Sequence, residues 1–242
     1  MRSVKLIVGS LLFVALTLSC LDNITGQRVK GNGNVITKKR EVQPFNKIQI
    51  EGIFNVFLRQ GEREEVTVEA DSNIEPHVIV RSKDGTLLLS WEEEVNISKS
   101  TQLSVYVTLR DLEDLSIEGI GKVETSTPLK LEELKLSISG VGKTDLALEL
   151  GKLVANIDAV GKVKLSGFAD NASIEASGVG ALDAMDFECK RLILENSGIG
   201  KVTVNATQFL HIESDGIGKV RYKGNPEIKE ITAGGIGKVQ EL

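Results

Sequence analysis

A five-residue unit returns seven times in the second half of this chain, and its spacing leaves few folds open. It begins as Gly119-Ile120-Gly121-Lys122-Val123 and recurs in variant form from Gly140, Ala159, Gly178, Gly198, Gly216 and Gly235. The second glycine of each unit is Gly121, Gly142, Gly161, Gly180, Gly200, Gly218 and Gly237, at intervals of 21, 19, 19, 20, 18 and 19 residues. A fixed period of this size marks stacked coils, in which no single unit can bury its own apolar face. The expectation is an all-β chain wound as a right-handed parallel β-helix, a solenoid with coils of about 19 residues, because crossovers between parallel strands are overwhelmingly of that hand. Seven rungs at the spacing of paired strands make a stack roughly 29 Å tall.

Three apolar columns run through the units. One holds Leu115, Leu136, Ala155, Ile174, Leu194, Ile212 and Ile231; a second Ile120, Val141, Val160, Val179, Ile199, Ile217 and Ile236; a third Val123, Thr144, Val163, Leu182, Val202, Val220 and Val239. All three are expected to line the interior. The second and third are then both inward at a spacing of three, which strict alternation does not allow. A bend between them is expected, at glycines that permit positive φ and close stacking of successive coils. A looser mid-coil series, Leu129, Leu150, Phe168, Phe187 and Phe209, is expected to fill another corner.

Between Asn34 and Leu109 short apolar runs such as Val56-Phe57-Leu58 and Leu103-Ser104-Val105-Tyr106-Val107 alternate with turn signals, among them Asp84-Gly85. Residues 31–242 therefore read as one β-solenoid domain, with a less regular β segment over 31–110 and seven regular coils over 111–242. Whether the first segment continues the helix or caps it stays open. The N-terminus reads as an export signal over residues 1–19. Arg2 and Lys5 precede an uncharged apolar stretch of 13 residues, Leu6 to Leu18, too short to span a bilayer. Leu16-Thr17-Leu18-Ser19-Cys20 resembles the lipobox of bacterial lipoproteins, with Thr17 where leucine is usual. That resemblance implies a diacylated Cys20, a tether over 20–30 and a membrane partner reached through the lipid. The chain would then be an outer-membrane lipoprotein of the cell envelope, periplasmic or surface-exposed. Cys189 would be the sole remaining thiol, read as a small core hydrophobe.

Composition narrows the partners. Removing Arg2 and Lys5 leaves 27 basic residues against 34 acidic, a net charge near −7, which argues against nucleic acid. Ser137 to Thr144 has the look of a phosphate loop, but Ser137 stands where the pattern needs glycine and no helix follows. Lys122, Lys143, Lys162, Lys201, Lys219 and Lys238 form a column broken only by Ala181. Such a ladder reads as a solvated surface whose repulsion is relieved by acidic and hydroxyl residues before each turn (Glu118, Ser139, Asp158, Ser177, Ser197, Asp215). The functional alternative is a cationic strip for an anionic polymer or a partner's carboxylates.

Catalysis finds little footing. Polysaccharide-cleaving β-helices wall a groove with loops inserted between coils, and here no interval exceeds 21 residues. Acid pairs such as Glu213/Asp215 and Asp183/Asp186 arise readily in an acidic chain. His77 and His211 lack companions at metal-ligand spacing. No catalytic residue, cofactor or metal is expected.

Several stretches taken in order resemble the bacterial head GIN domain family of auto-transporter adhesins. They are Gly31 to Val35, Phe45 to Leu58, Val66 to Ile74, Asp84 to Leu87 and then the Gly-Ile-Gly-Lys-Val coils, so the likeness spans about residues 31–240. The resemblance implies an exported, often lipid-anchored, β-helical protein of the Bacteroidetes group, and it carries no catalytic residues. The 242 residues hold no terminal series of amphipathic strands for a translocator barrel, so self-export is not expected. The resulting expectation is a non-catalytic binding or scaffold module for an unknown protein or glycan, the alternative a carbohydrate-active β-helix lyase or hydrolase. The final unit, followed only by Gln240-Glu241-Leu242, suggests an end-to-end homodimer through an open rung.

Overall fold

Coil upon coil, the chain builds a parallel β-solenoid; the computed structural model describes residues 27–242. The signal peptide, Cys20 and most of the expected tether lie outside the described residues. Folding has already begun at Gln27–Lys30, a strand that pairs in parallel with Val95–Lys99 and buries Val29.

The regular coils stack in register. Val141–Ile157 pairs with Val160–Ala176, which pairs with Val179–Asn196, which pairs with Ile199–Ser214, all in parallel. Each glycine of the repeated unit lies on its counterpart, Gly121 on Gly142, Gly142 on Gly161 and so to Gly237. The coil of about 19 residues and the solenoid of about seven turns match the sequence reading.

Two of the three apolar columns are interior. Leu115, Leu136, Ala155, Ile174, Leu194 and Ile212 are buried, as are Val123, Thr144, Val163, Leu182, Val202 and Val220. On the last coil Ile231 is exposed. The column expected between them is outside: Ile120, Val141, Val160, Val179, Ile199 and Ile217 are 48–54 % exposed. Parity explains the correction. The strand Val141–Ile157 starts at the unit and its burial alternates from Thr144 onward; carried back by the same parity, a residue three before an inward Thr144 points outward. The odd spacing needs no exception, only one member in and one out.

The mid-coil series is not one column either. Leu129 stacks on Leu148, Leu148 on Gly167 and Gly167 on Phe187, while Leu150 continues through Ala169 to Cys189. Phe168, one residue out of phase, faces solvent, and Phe209 pairs with Arg191, whose guanidinium lies over its ring at 4.6 Å.

The N-terminal segment both continues the helix and caps it. Lys47–Ile50 and Ile53–Gln60 form a rung in parallel with Asp114–Ile117 and Ile120–Thr125. Thr86–Trp91 and Leu103–Leu109 form another above it. Antiparallel strands then close the stack: Val78–Lys83 on Thr86–Trp91, Glu65–Asp71 on Leu103–Leu109, and Val35–Arg40 on Glu65–Asp71. Switching direction ends the parallel ladder and leaves a short edge in place of a continuing template.

Two buried carboxylates fasten this cap. Asp71 is fully buried and accepts hydrogen bonds from the backbone N–H groups of Gly33 and Thr101, each at 2.7 Å. Burial alone would push its carboxyl up, but those donors outweigh it and hold Asp71 below the usual aspartate range. Glu75 is also fully buried and lies 2.7 Å from Lys38 Nζ and 2.5 Å from Arg40. At the glycine corner Phe54 occupies the register position of Gly121, and Trp91 stacks on its ring at 4.9 Å, sealing the top of the corner.

Candidate functional site

The most regular exposed surface lies along the glycine corner. The φ of Gly142 is +140°, and a Cβ there would run into the carbonyl oxygen of Gly121 on the preceding coil. Only glycine lets the two backbones approach so closely. The backbone N–H of the next outward residue then reaches across: Val141 donates to the Gly119 carbonyl at 2.8 Å, Val160 to that of Gly140 at 3.0 Å and Val179 to that of Ala159 at 2.9 Å. The glycines thus hold the outer Ile/Val side chains in a straight ladder.

That ladder is one rung longer than the repeat itself, since Ile53 pairs with Ile120 and is 49 % exposed. From Ile53 to Ile236 it makes an apolar ridge of eight β-branched side chains. Sequence reasoning missed it by placing the column indoors; the parity of Ile120 against Val123 was the available signal.

The lysine column lies two residues beyond the ridge and so faces outward beside it. Its charges are relieved from the side opposite to that expected. Lys122 pairs with Glu124, Lys143 with Asp145 at 2.9 Å, and Lys162 with Asp183 at 3.4 Å. The Asp145 carboxylate raises the Lys143 ammonium above its usual range. Burial would raise Asp183, but Thr203 Oγ1 at 3.1 Å and the Lys162 ammonium hold it low. Lys201, Lys219 and Lys238 form no ion pair among the described residues.

The residues before each turn face outward on the ridge's other flank. Glu118, Asp158 and Asp215 stand two positions before ridge residues, and Glu175, Glu195 and Glu213 four positions before. All six are exposed, and none forms an ion pair among the described residues. The surface is therefore a three-lane strip of carboxylates, aliphatic ridge and ammonium groups.

The groups considered for catalysis are scattered. Asp183 is engaged by Lys162 and Thr203, Asp186 lies 3.9 Å from Lys164, and Glu213 and Asp215 point into solvent. His77 contacts Glu92 at 2.7 Å and His211 contacts Glu230 at 3.1 Å, each as an isolated pair on the surface. Cys189 is buried, its thiol pushed up to about 12. No three His, Cys, Asp or Glu side chains gather as around a metal ion among the described residues.

Known proteins share this architecture. The family described as "Putative auto-transporter adhesin, head GIN domain" matches residues 44–226. A solved structure described as a putative adhesin from Bacteroides fragilis is 28 % identical with a TM-score of 0.84, and the match covers 88 % of this chain and 100 % of that one. A putative lipid binding protein and a putative adhesin, both from Parabacteroides distasonis, are 22 % and 24 % identical with TM-scores of 0.72 and 0.67. Each of these matches covers 89 % of this chain and 100 % of the other, and both likenesses speak to fold alone. No match is found among curated proteins. With its coil length, its glycine corner and three quarters of its length accounted for by one model, the chain belongs to the auto-transporter adhesin head GIN domain family.

Proposed function

We propose that this protein is a non-catalytic binding or scaffold module of the cell envelope, displayed at the surface on a lipid attached to Cys20. The observation that carries the reading is the unbroken strip of outward ladders. After Leu109 no connection between successive strands exceeds four residues, so the coils carry no long inserted loop of the kind that builds a deep substrate groove. A flat, rigid surface suits recognition of an extended ligand, whereas enzymes on this kind of scaffold need convergent polar groups in a concavity. The adhesin description of the Bacteroides fragilis structure supports the same reading.

The test is a binding and turnover assay on a panel of acidic and neutral polysaccharides and envelope proteins, using the full chain. Saturable binding of at least one member without new chain ends is expected. Release of oligosaccharide that disappears in Asp158→Ala or Asp215→Ala would overturn the proposal in favour of a carbohydrate-active enzyme.

A further inference from the structure

We infer that two copies of this chain associate side by side, ridge against ridge, about a two-fold axis parallel to the solenoid axis. The first ground is the ridge itself. Its side chains are half exposed or more although they fill no interior space, and each of the eight rungs from Ile53 to Ile236 keeps a β-branched residue there. Contiguous apolar strips of this length on soluble surfaces mark contact sites. Seven steps between rungs give it a length of about 34 Å. With one column on each flank the strip is roughly 20 Å wide, so it offers about 700 Å² per chain, close to the ~800 Å² per partner of a stable interface.

Charge selects the occupant and the direction. On the Ile199 and Ile217 rungs the strip is asymmetric across its width, with Glu195, Glu213 and Asp215 on one flank and Lys201 and Lys219 on the other. A two-fold axis parallel to the solenoid exchanges left and right but keeps each rung at its height. Lys201 of one copy then faces Glu195 of the other on the same rung, and Lys219 faces Asp215. The perpendicular two-fold axis would set lysine column against lysine column, which repels. A second copy thus supplies partners for Lys201 and Lys219, two of the ammonium groups left without an ion pair among the described residues of one chain. Self-complementarity of this kind is what an isologous interface requires. The arrangement also brings both N-termini to the same end, which suits two chains anchored in one membrane and in that clause rests on the proposed tether.

Single cysteines placed on the ridge of the full chain carrying Cys20→Ala test this directly. With a short bis-maleimide, Val160→Cys and Ile217→Cys should each link to itself, because a parallel two-fold axis sets every ridge residue opposite its twin. Cys189 is buried and stays out of the reaction. Sedimentation should report a dimer that Val160→Lys with Val179→Lys converts to a monomer while circular dichroism keeps the β signal. Lys201→Glu should weaken association several-fold, and adding Glu195→Lys in the same chain should restore it. Linkage at Val160→Cys but not at Ile217→Cys would overturn the parallel arrangement. A monomer whose ridge instead drives flotation with lipid vesicles would overturn the dimer.

Discussion

At single positions the fold depends on which way a side chain points, and neighbours in the repeat have opposite roles. Val163 is 3 % exposed and Val160 is 50 % exposed, although both are valines in an apolar column. Truncating Val163 to alanine should cost about 1–2 kcal/mol, and truncating Val160 well under about 1 kcal/mol, because only the first leaves a void. Denaturant titration of the two variants checks the difference; equal losses would return the ridge to the interior. Gly142→Ala should be harsher than either. Its φ of +140° is one that alanine adopts only under strain, and the new Cβ meets backbone that cannot swing aside. A loss of about 3 kcal/mol is expected by the same titration.

At the scale of elements, the N-terminal cap is the part least visible in the sequence. The solenoid was legible because its period repeats seven times and any register error would break whole columns. Nothing local in Val35–Arg40 or Glu65–Asp71 announces that they run antiparallel to the stack; that choice is made by partners far along the chain. Parity was legible throughout, and following it from Val123 would have placed Ile120 outside and Glu124 beside Lys122. Asp71 gives the cap a measurable pH dependence. Its folded pKa lies below the unfolded one, so its contribution is complete above the ordinary aspartate value of about 3.9 and is lost as pH falls through the lowered folded value. Thermal melts should show Asp71→Asn destabilised at neutral pH, and the gap to the wild type narrowing as the medium is acidified. A gap that persists unchanged at the acid end would mean that the charge on Asp71 contributes nothing. Asp71→Ala, which takes the acceptor from the Gly33 and Thr101 N–H groups, should cost about 1–3 kcal/mol at neutral pH in the same melts.

At the scale of the whole molecule, a stack of coils joined by short connections directs function to its sides. The interior is largely aliphatic, with Phe54, Phe187 and Tyr222 among its side chains, and runs unbroken from Leu87 and Leu89 through to Val220, so the outward ladders keep fixed spacing. Lysines away from the ridge, Lys83, Lys130 and Lys190 among them, are exposed and accessible to a reagent in solution. What the proposed function requires above all is that the rod stand outside the cell on a lipid at Cys20. The most direct measurement is labelling of intact cells with a membrane-impermeant amine reagent, alongside a Cys20→Ala strain. A labelled protein is expected on intact cells, and its loss from the cell fraction in the Cys20→Ala strain. Protection from the reagent until the outer membrane is opened would contradict it and place the rod on the periplasmic side.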